Sequence, residues 1–231
     1  MTERPILFSG PMVRAILGGR KTQTRRVVKP APDWEQPEPL CSTTVEGWQG
    51  PIDRSMWSES ADPEMDVRRS PYGGPGDGLW VKESGLHKRG PLFELFIHDA
   101  TPDQYWASPD HRGEKLTVEA RGKPGAGIGP AIARDNHKAM GFKARPSIHM
   151  PRWASRLILD VADVRVERLH SISEDDAEAE GVQEPSLVPT LGAFWSSRDG
   201  FAKLWSHING RESWDANPWV WVVTFEPHEI S

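Results

Sequence analysis

The stretch Gly18-Gly19-Arg20-Lys21-Thr22-Gln23-Thr24-Arg25-Arg26-Val27-Val28-Lys29 decides how the rest of the chain is read. It sets five cations into the ten residues from Arg20 to Lys29, with hydroxyls between them and no Asp or Glu. Going back to Pro11 adds Arg14 and still no acid. Charges this close repel one another unless solvent or an anion separates them. A solvated basic loop is the plainest reading, because charge runs usually mean no more than that. The apolar segments on both sides argue instead for a loop fixed to a core, facing a phosphate or a carbonyl.

Those flanks read clearly. Ile6-Leu7-Phe8 is a first strand, and Ser9 or Gly10 caps a helix with Pro11 at its first position, where a missing N–H costs nothing. Met12, Val13, Ile16 and Leu17 form the apolar stripe, and Gly18-Gly19 stops the helix. Val27-Val28 is then a second strand, ended by Pro30. After the turn-rich Pro71–Asp77, Gly78–Glu83 reads as a strand with Leu79 and Val81 on one face, Trp80 and Lys82 on the other. Pro146–Arg156 is a compact segment with a helical turn after Pro151. Leu157–Val161 and Val164–Leu169 are two further strands. Ser171-Ile172-Ser173-Glu174 reads as a capping box that starts a short helix through Glu180, with Asp175 and Asp176 favoured by the helix dipole and a stop at Gly181. Phe201, Leu204, Trp205 and Ile208 mark an amphipathic helix closed by Asn209-Gly210. Pro218–Phe225 is apolar on both faces, which places it centrally in a sheet.

Two segments break the pattern. Residues 31–69 are rich in Pro and acid, with a hairpin expected near Val45–Trp48; those acids would screen the basic loop. Residues 84–143 read as irregular apart from a strand at Leu92–Ile97. The glycine-rich Arg121–Pro130 lacks the Lys-Ser/Thr of a phosphate loop and reads as a flexible loop. The expected fold is α+β: a small twisted barrel or sheet with short flanking helices, one domain over 1–231, carrying insertions at about 31–69 and 84–143.

Composition limits the functions. With 28 Lys and Arg against 33 Asp and Glu, the net charge of −5 excludes a generic nucleic-acid coat, so anion binding must be local. The lone Cys41 makes no internal disulfide, which favours a reducing cytoplasm. There is no signal-peptide pattern and no apolar run long enough for a bilayer, so a cytoplasmic protein without membrane partners is expected. The eight His lack metal-ligand spacing, and neither Gly-x-Ser-x-Gly nor His-Glu-x-x-His occurs, so no metal or cofactor is expected. Of the 11 Trp, Trp80, Trp219 and Trp221 read as core, whereas Trp34, Trp48, Trp57 and Trp106 lie in irregular chain as stacking candidates.

Gly19–Arg26, Gly76-Asp-Gly-Leu-Trp-Val-Lys-Glu83, Ser173-Glu-Asp-Asp-Ala-Glu-Ala-Glu-Gly181 and the final Trp-Val-Trp-Val-Val-Thr-Phe strand together resemble the ASCH domain family, in the order that family uses. Arg4–Arg14 and Pro146–Arg156 are similar to the larger ASCH proteins of phages and prophages. The resemblance covers most of the ordered chain and implies a PUA-like β-barrel whose cleft binds RNA or a modified nucleoside, in a monomer. It further implies an amidohydrolase that removes an acyl group from N4 of cytidine, with Lys21, Thr24 and Glu180 in the catalytic positions and Arg26 nearby. Other members imply a ribonuclease or a non-catalytic RNA-binding module; a phage assembly role has no motif behind it.

These residues make chemical sense in those places. Amide cleavage needs a nucleophile, a base to activate it and a donor facing the oxyanion. Thr24 carries a hydroxyl, and Lys21 is a base if Arg20, Arg25 and Arg26 lower its pKa. Glu180 would orient Lys21 or carry a proton to the leaving amine. Arg20, Arg25 and Arg26 are the phosphate- or carbonyl-binding candidates. A Thr24 nucleophile and a Lys21-activated water stay equally open. Against this, Lys21 and Thr24 point to opposite faces of a fully extended chain, and Glu180 could be only the exposed last turn of its helix. Glu83 is the alternative acid. His149 and Arg152 either line the cleft or serve capping and packing.

Overall fold

The structure is a computed structural model that describes residues 2–32, 38–39, 56–58, 68–89, 94–100, 105–107, 141–182 and 196–229. The hairpin expected near Val45–Trp48, the Arg121–Pro130 loop, Cys41 and Trp34 lie outside the described residues. What is described is a mixed α+β fold with three sheets and few helices.

The largest sheet contains β1 (Glu3–Leu7), β2 (Gln23–Val27), β6 (Gly78–Lys82), β11 (Leu157–Arg168) and β12 (Trp219–Glu229), in the order β1-β6-β11-β12-β2. Its ends are β1 and β2, so it is an open sheet, and no closed barrel forms among the described residues. The other sheets are β10-β7-β8-β9, built from β7 (Gly85–Arg89), β8 (Glu94–His98), β9 (Tyr105–Ala107) and β10 (Lys143–Arg145), and β3-β4-β5, built from β3 (Glu38–Pro39), β4 (Met56–Ser58) and β5 (Arg68–Arg69). By contact the chain divides into two compact units: Met1–Arg4 with Ala15–Leu79 and Leu159–His228, and Pro5–Arg14 with Trp80–Ile158 and Glu229–Ser231. No helix among the described residues is long and apolar enough to cross a membrane.

In the first unit β12 lies between β11 and β2, as its two apolar faces require: Val220, Val222 and Val223 are fully buried, Trp221 and Phe225 nearly so. Antiparallel pairing with β2 sets Val27 opposite Val220, Arg25 opposite Val222 and Thr24 opposite Val223. Two helices, α2 (Glu174–Ala179) and α3 (Ser197–Asn209), cover the face that carries Val220 and Val222. There Leu169, Ile172, Ala177, Phe201 and Trp205 close a core with Val27, Val182 and Trp214 packed against it. Of the α3 stripe, Phe201 and Trp205 are buried, while Ile208 is exposed.

The capping box of α2 is one step along from the sequence reading. Ser173, not Ser171, is the N-cap: its hydroxyl accepts the Asp176 N–H at 3.0 Å, and the Asp176 carboxylate accepts the Ser173 N–H at 3.4 Å. Ser171 instead ends a 3-10 turn, Leu169–Ser171. The two strands read at Leu157–Val161 and Val164–Leu169 are a single long strand. The basic stretch, read as a loop, is strand from Gln23 onward, because β12 supplies its hydrogen-bonding partners.

The second unit corrects the reading of 84–143. Instead of one strand in irregular chain, the described part carries the four strands of the β10-β7-β8-β9 sheet. Gly-Leu-His-Lys-Arg in β7 has no clean apolar alternation, which hid it. Gly85 is required there, since a Cβ would stand 2.2 Å from the Ile97 carbonyl oxygen and 2.6 Å from Phe96 Cε1. The pleat sends Ile97 and Leu95 to one face with Leu86 and Phe142, and Phe96 to the other with Met150, Ala154 and Trp153. Two 3-10 turns, Ser147–His149 and Arg152–Ala154, occupy the compact Pro146–Arg156 segment. Trp57 and Trp106, read as loop residues, fall on β4 and β9.

Candidate functional site

Lys21 is placed by the way its preceding helix ends. Helix α1 (Gly10–Leu17) closes with Gly19 in the left-handed region, φ 69°, donating to the Ile16 carbonyl at 2.9 Å. The Arg20 and Lys21 N–H groups both donate to the Ala15 carbonyl, at 2.9 and 3.1 Å, a Schellman-type stop that turns the chain into β2. Lys21 then forms an antiparallel bridge with Glu180, and Thr22 N–H donates to the Ala179 carbonyl at 2.8 Å. Glu180 is the C-cap of α2, followed by Gly181 at φ 84°. A Cβ on Gly181 would stand 3.0 Å from Lys21 Cβ and 3.1 Å from Ala15 Cβ, so only glycine lets the helix end come this close.

The result is a buried ion pair joining residues 159 positions apart. Lys21 Nζ donates to Glu180 Oε2 at 2.6 Å, to the Glu180 carbonyl at 2.9 Å and to the Gln23 carbonyl at 2.8 Å. The Lys21 side chain is 0% exposed and that of Glu180 5%. Glu180 is therefore an inward carboxylate rather than a solvent-facing last turn. Its second oxygen, Oε1, is buried, accepts no hydrogen bond among the described residues and lies 3.6 Å from Arg25 Nη1.

Arg25 continues the cluster. It reaches Asp176 Oδ2 at 2.9 Å and Glu167 Oε2 at 3.4 Å, and donates to Gln23 Oε1. Arg165 in turn binds Glu167, and Asp176 Oδ1 at 3.1 Å. Lys21, Arg25 and Arg165 thus meet Glu167, Asp176 and Glu180, charge for charge. The acids missing beside the basic run in sequence arrive from β11 and α2.

Burial shapes the titration. It pushes Lys21 below its ordinary value of 10.5; Glu180 opposes this, and Arg26 and Arg25 add to it. For Asp176, burial acts upward, but Arg25, Gln23, the Ser173 amide and Arg165 together hold the carboxyl below its usual value.

The remaining expected residues separate by face and by unit. Alternation along β2 puts Gln23 and Arg25 towards α2 and sends Thr24 and Arg26 to the opposite face. Thr24 is buried there, and Arg26 is half-buried and near Tyr72, whose phenol is pushed up by burial and drawn down by Arg26. Arg20 is exposed.

Glu83, His149 and Arg152 belong to the second unit. Glu83 is 1% exposed and held by both arms of Arg156, with Nε to Oε1 and Nη2 to Oε2 each 3.0 Å. Its N–H points at Met150 Sδ, 2.9 Å away. Burial raises the Glu83 carboxyl above its ordinary value against the pull of Arg156. His98 joins this second buried cluster, donating from Nε2 to the Ala154 carbonyl at 2.8 Å. Burial, then Arg156, lowers its pKa to about 3. His149 and Arg152 are exposed, and Arg152 stands 5.7 Å from the Trp80 ring.

Sequence reasoning did not single out Gln23, Glu167, Asp176, Arg156 or His98 as site residues. A usable signal existed for Glu167: the 164–169 alternation puts it on one face with Arg165. Nothing local pairs Arg156 with Glu83. No group of three or more His, Cys, Asp or Glu suited to a metal ion occurs among the described residues. No protein-family model, curated protein or solved structure matches the chain.

Proposed function

We propose that this chain is an ASCH-type protein of PUA-like ancestry that acts on RNA or a modified nucleoside, as an amidohydrolase removing an acyl group from N4 of cytidine. The observation that carries the reading is the Lys21–Glu180 pair: an amine with a lowered pKa 2.6 Å from a buried carboxylate whose other oxygen is uncommitted. A neutral Lys21 takes a proton from water, and the hydroxide attacks the acyl carbon. As the C–N4 bond breaks, Glu180 relays the proton to N4, releasing cytidine and the carboxylic acid. Water suits this geometry better than Thr24 as nucleophile, because Thr24 sits on the opposite face of β2 from the Arg25 cluster. Release of acetate from N4-acetylcytidine, lost in Lys21→Met, is the expected result. No turnover across a panel of N4-acylated cytosines overturns the reading.

One observation favours a second reading, a non-catalytic nucleic-acid-binding module. Lys21 is fully enclosed and already bonded to three acceptors, which is how a structural strut is built. On that reading Lys21→Met lowers stability and leaves nucleic-acid binding intact.

A further inference from the structure

The second unit holds an acid-free run of its own. From Asn136 to Leu159 there is no Asp or Glu, while Lys138, Lys143, Arg145, Arg152 and Arg156 all occur. Arg156 is committed to buried Glu83. The others that are described sit differently from Arg25. Lys143 and Arg152 are exposed and Arg145 is half-exposed, and neither Lys143 nor Arg145 has an ion-pair partner among the described residues. Lys82 reaches the same segment from β6: its Nζ donates to the Ile148 carbonyl at 2.6 Å and stands 5.4 Å from the Trp80 ring centre. It too lacks a carboxylate partner among the described residues. Arg152 approaches the same indole, at 5.7 Å. His149 is exposed beside them, and Ile148 is 61% exposed.

We infer that this surface, with Trp80, Lys82, Lys143, Arg145 and Arg152 as its contacts, binds the phosphodiester backbone of a nucleic acid. Electrostatics chooses the partner. On a chain of net charge −5, cations left without acids form a local positive field, to which a polyanion with evenly spaced charges is complementary. Trp80 orients two of the cations and presents a half-buried π surface beside them, the combination that tracks a strand while tolerating its sequence. By contrast, Arg25 is matched by Asp176 and Glu167, so a phosphate reaching it would have to displace carboxylates. The inference stands apart from the chemistry of Lys21.

The test is fluorescence anisotropy of labelled single-stranded RNA, single-stranded DNA and duplex over a range of salt, with the full chain. Wild type is expected to bind, with affinity falling steeply as salt rises. Lys82→Gln/Lys143→Gln/Arg145→Gln is expected to bind roughly tenfold more weakly at low salt and to flatten the log–log slope by about 2, from about 0.7 per phosphate lost. Lys143→Gln/Arg145→Gln, which leaves the half-buried Lys82 in place, is expected to lie between. Lys21→Met is expected to match wild type, which separates this surface from the proposed active site. Unchanged affinity and slope in the triple variant overturn the inference. So does failure of wild type to bind any of the three probes, or its capture by anionic phospholipid vesicles but not by nucleic acid.

Discussion

Glu180→Gln isolates the charge of the Lys21–Glu180 pair while keeping its shape. The amide retains an acceptor near Lys21 Nζ, so what disappears is the negative charge that offsets an ammonium with 0% exposure. Arg25 is less affected, because it keeps Asp176 at 2.9 Å. Breaking a buried pair from one side costs about 3–5 kcal/mol, and the retained acceptor puts this case at about 3 kcal/mol. For a chain of this length that is a fall in Tm of roughly 6–12 °C, at about 2–4 °C per kcal/mol. The pH response has a definite sign. Lys21 already titrates below 10.5, and removing Glu180 takes away the influences that raise it. Between that lowered value and 10.5 the unfolded chain holds a proton at Lys21 that the folded chain lacks, so the variant regains stability as pH rises through this window. Urea unfolding followed by Trp fluorescence, at about pH 7 and about pH 9.5, reads both effects. In the cycle with Lys21→Met, the double variant is expected to lose at least about 1 kcal/mol less than the two single losses summed. Additivity within about 0.5 kcal/mol, with no narrowing of the gap at high pH, refutes the coupling.

Two further outcomes test the architecture. Gly181→Ala is expected to destabilise more than Gly19→Ala: both are left-handed, but a Cβ at 181 meets Lys21 Cβ at 3.0 Å, whereas at 19 it meets nothing within 4 Å. Backbone strain alone is about 1–2 kcal/mol at each, so thermal melts showing equal losses contradict the tight docking of α2. His98, with a pKa of about 3, is expected to stay neutral at mildly acidic pH. Between about 3 and 6.5 only the unfolded chain binds that proton, so stability falls as pH drops through that range, by up to about 1.4 kcal/mol per unit. An NMR titration in which the His98 ring moves with a midpoint near 6.5 rules this out.

What was legible in the sequence was whatever depends on neighbours in the chain. The α1 stop at Gly18-Gly19, the end of α2 at Gly181 and the two-faced burial of Val220–Val223 follow from local rules, and all are present. The charge state of the basic run was not legible, because Glu167, Asp176 and Glu180 lie more than 140 positions away from Arg25. β7 escaped because Gly85, chosen for the space it leaves beside Ile97, removes one apolar position from the pattern. Arg156 and Glu83 read as unrelated surface charges until the fold brings them to 3.0 Å. Parity did speak: strand alternation separates Thr24 from Arg25, as a fully extended chain requires.

The pairing of β2 with β12 carries a consequence for how the chain is made. Gln23 faces Thr224 across a separation of 201 positions, and a ribosome adding about 5–20 residues per second needs roughly 10–40 s to produce the second after the first. Through that interval Thr24, Arg25 and Val27 have been translated but their ladder partner has not, and Glu180 emerges before that partner does. Assembly of the Lys21 cluster is thus post-translational in practice: a nascent chain arrested before Trp219 has its helix-forming segments and its acids, yet no strand to hold Arg25 in register.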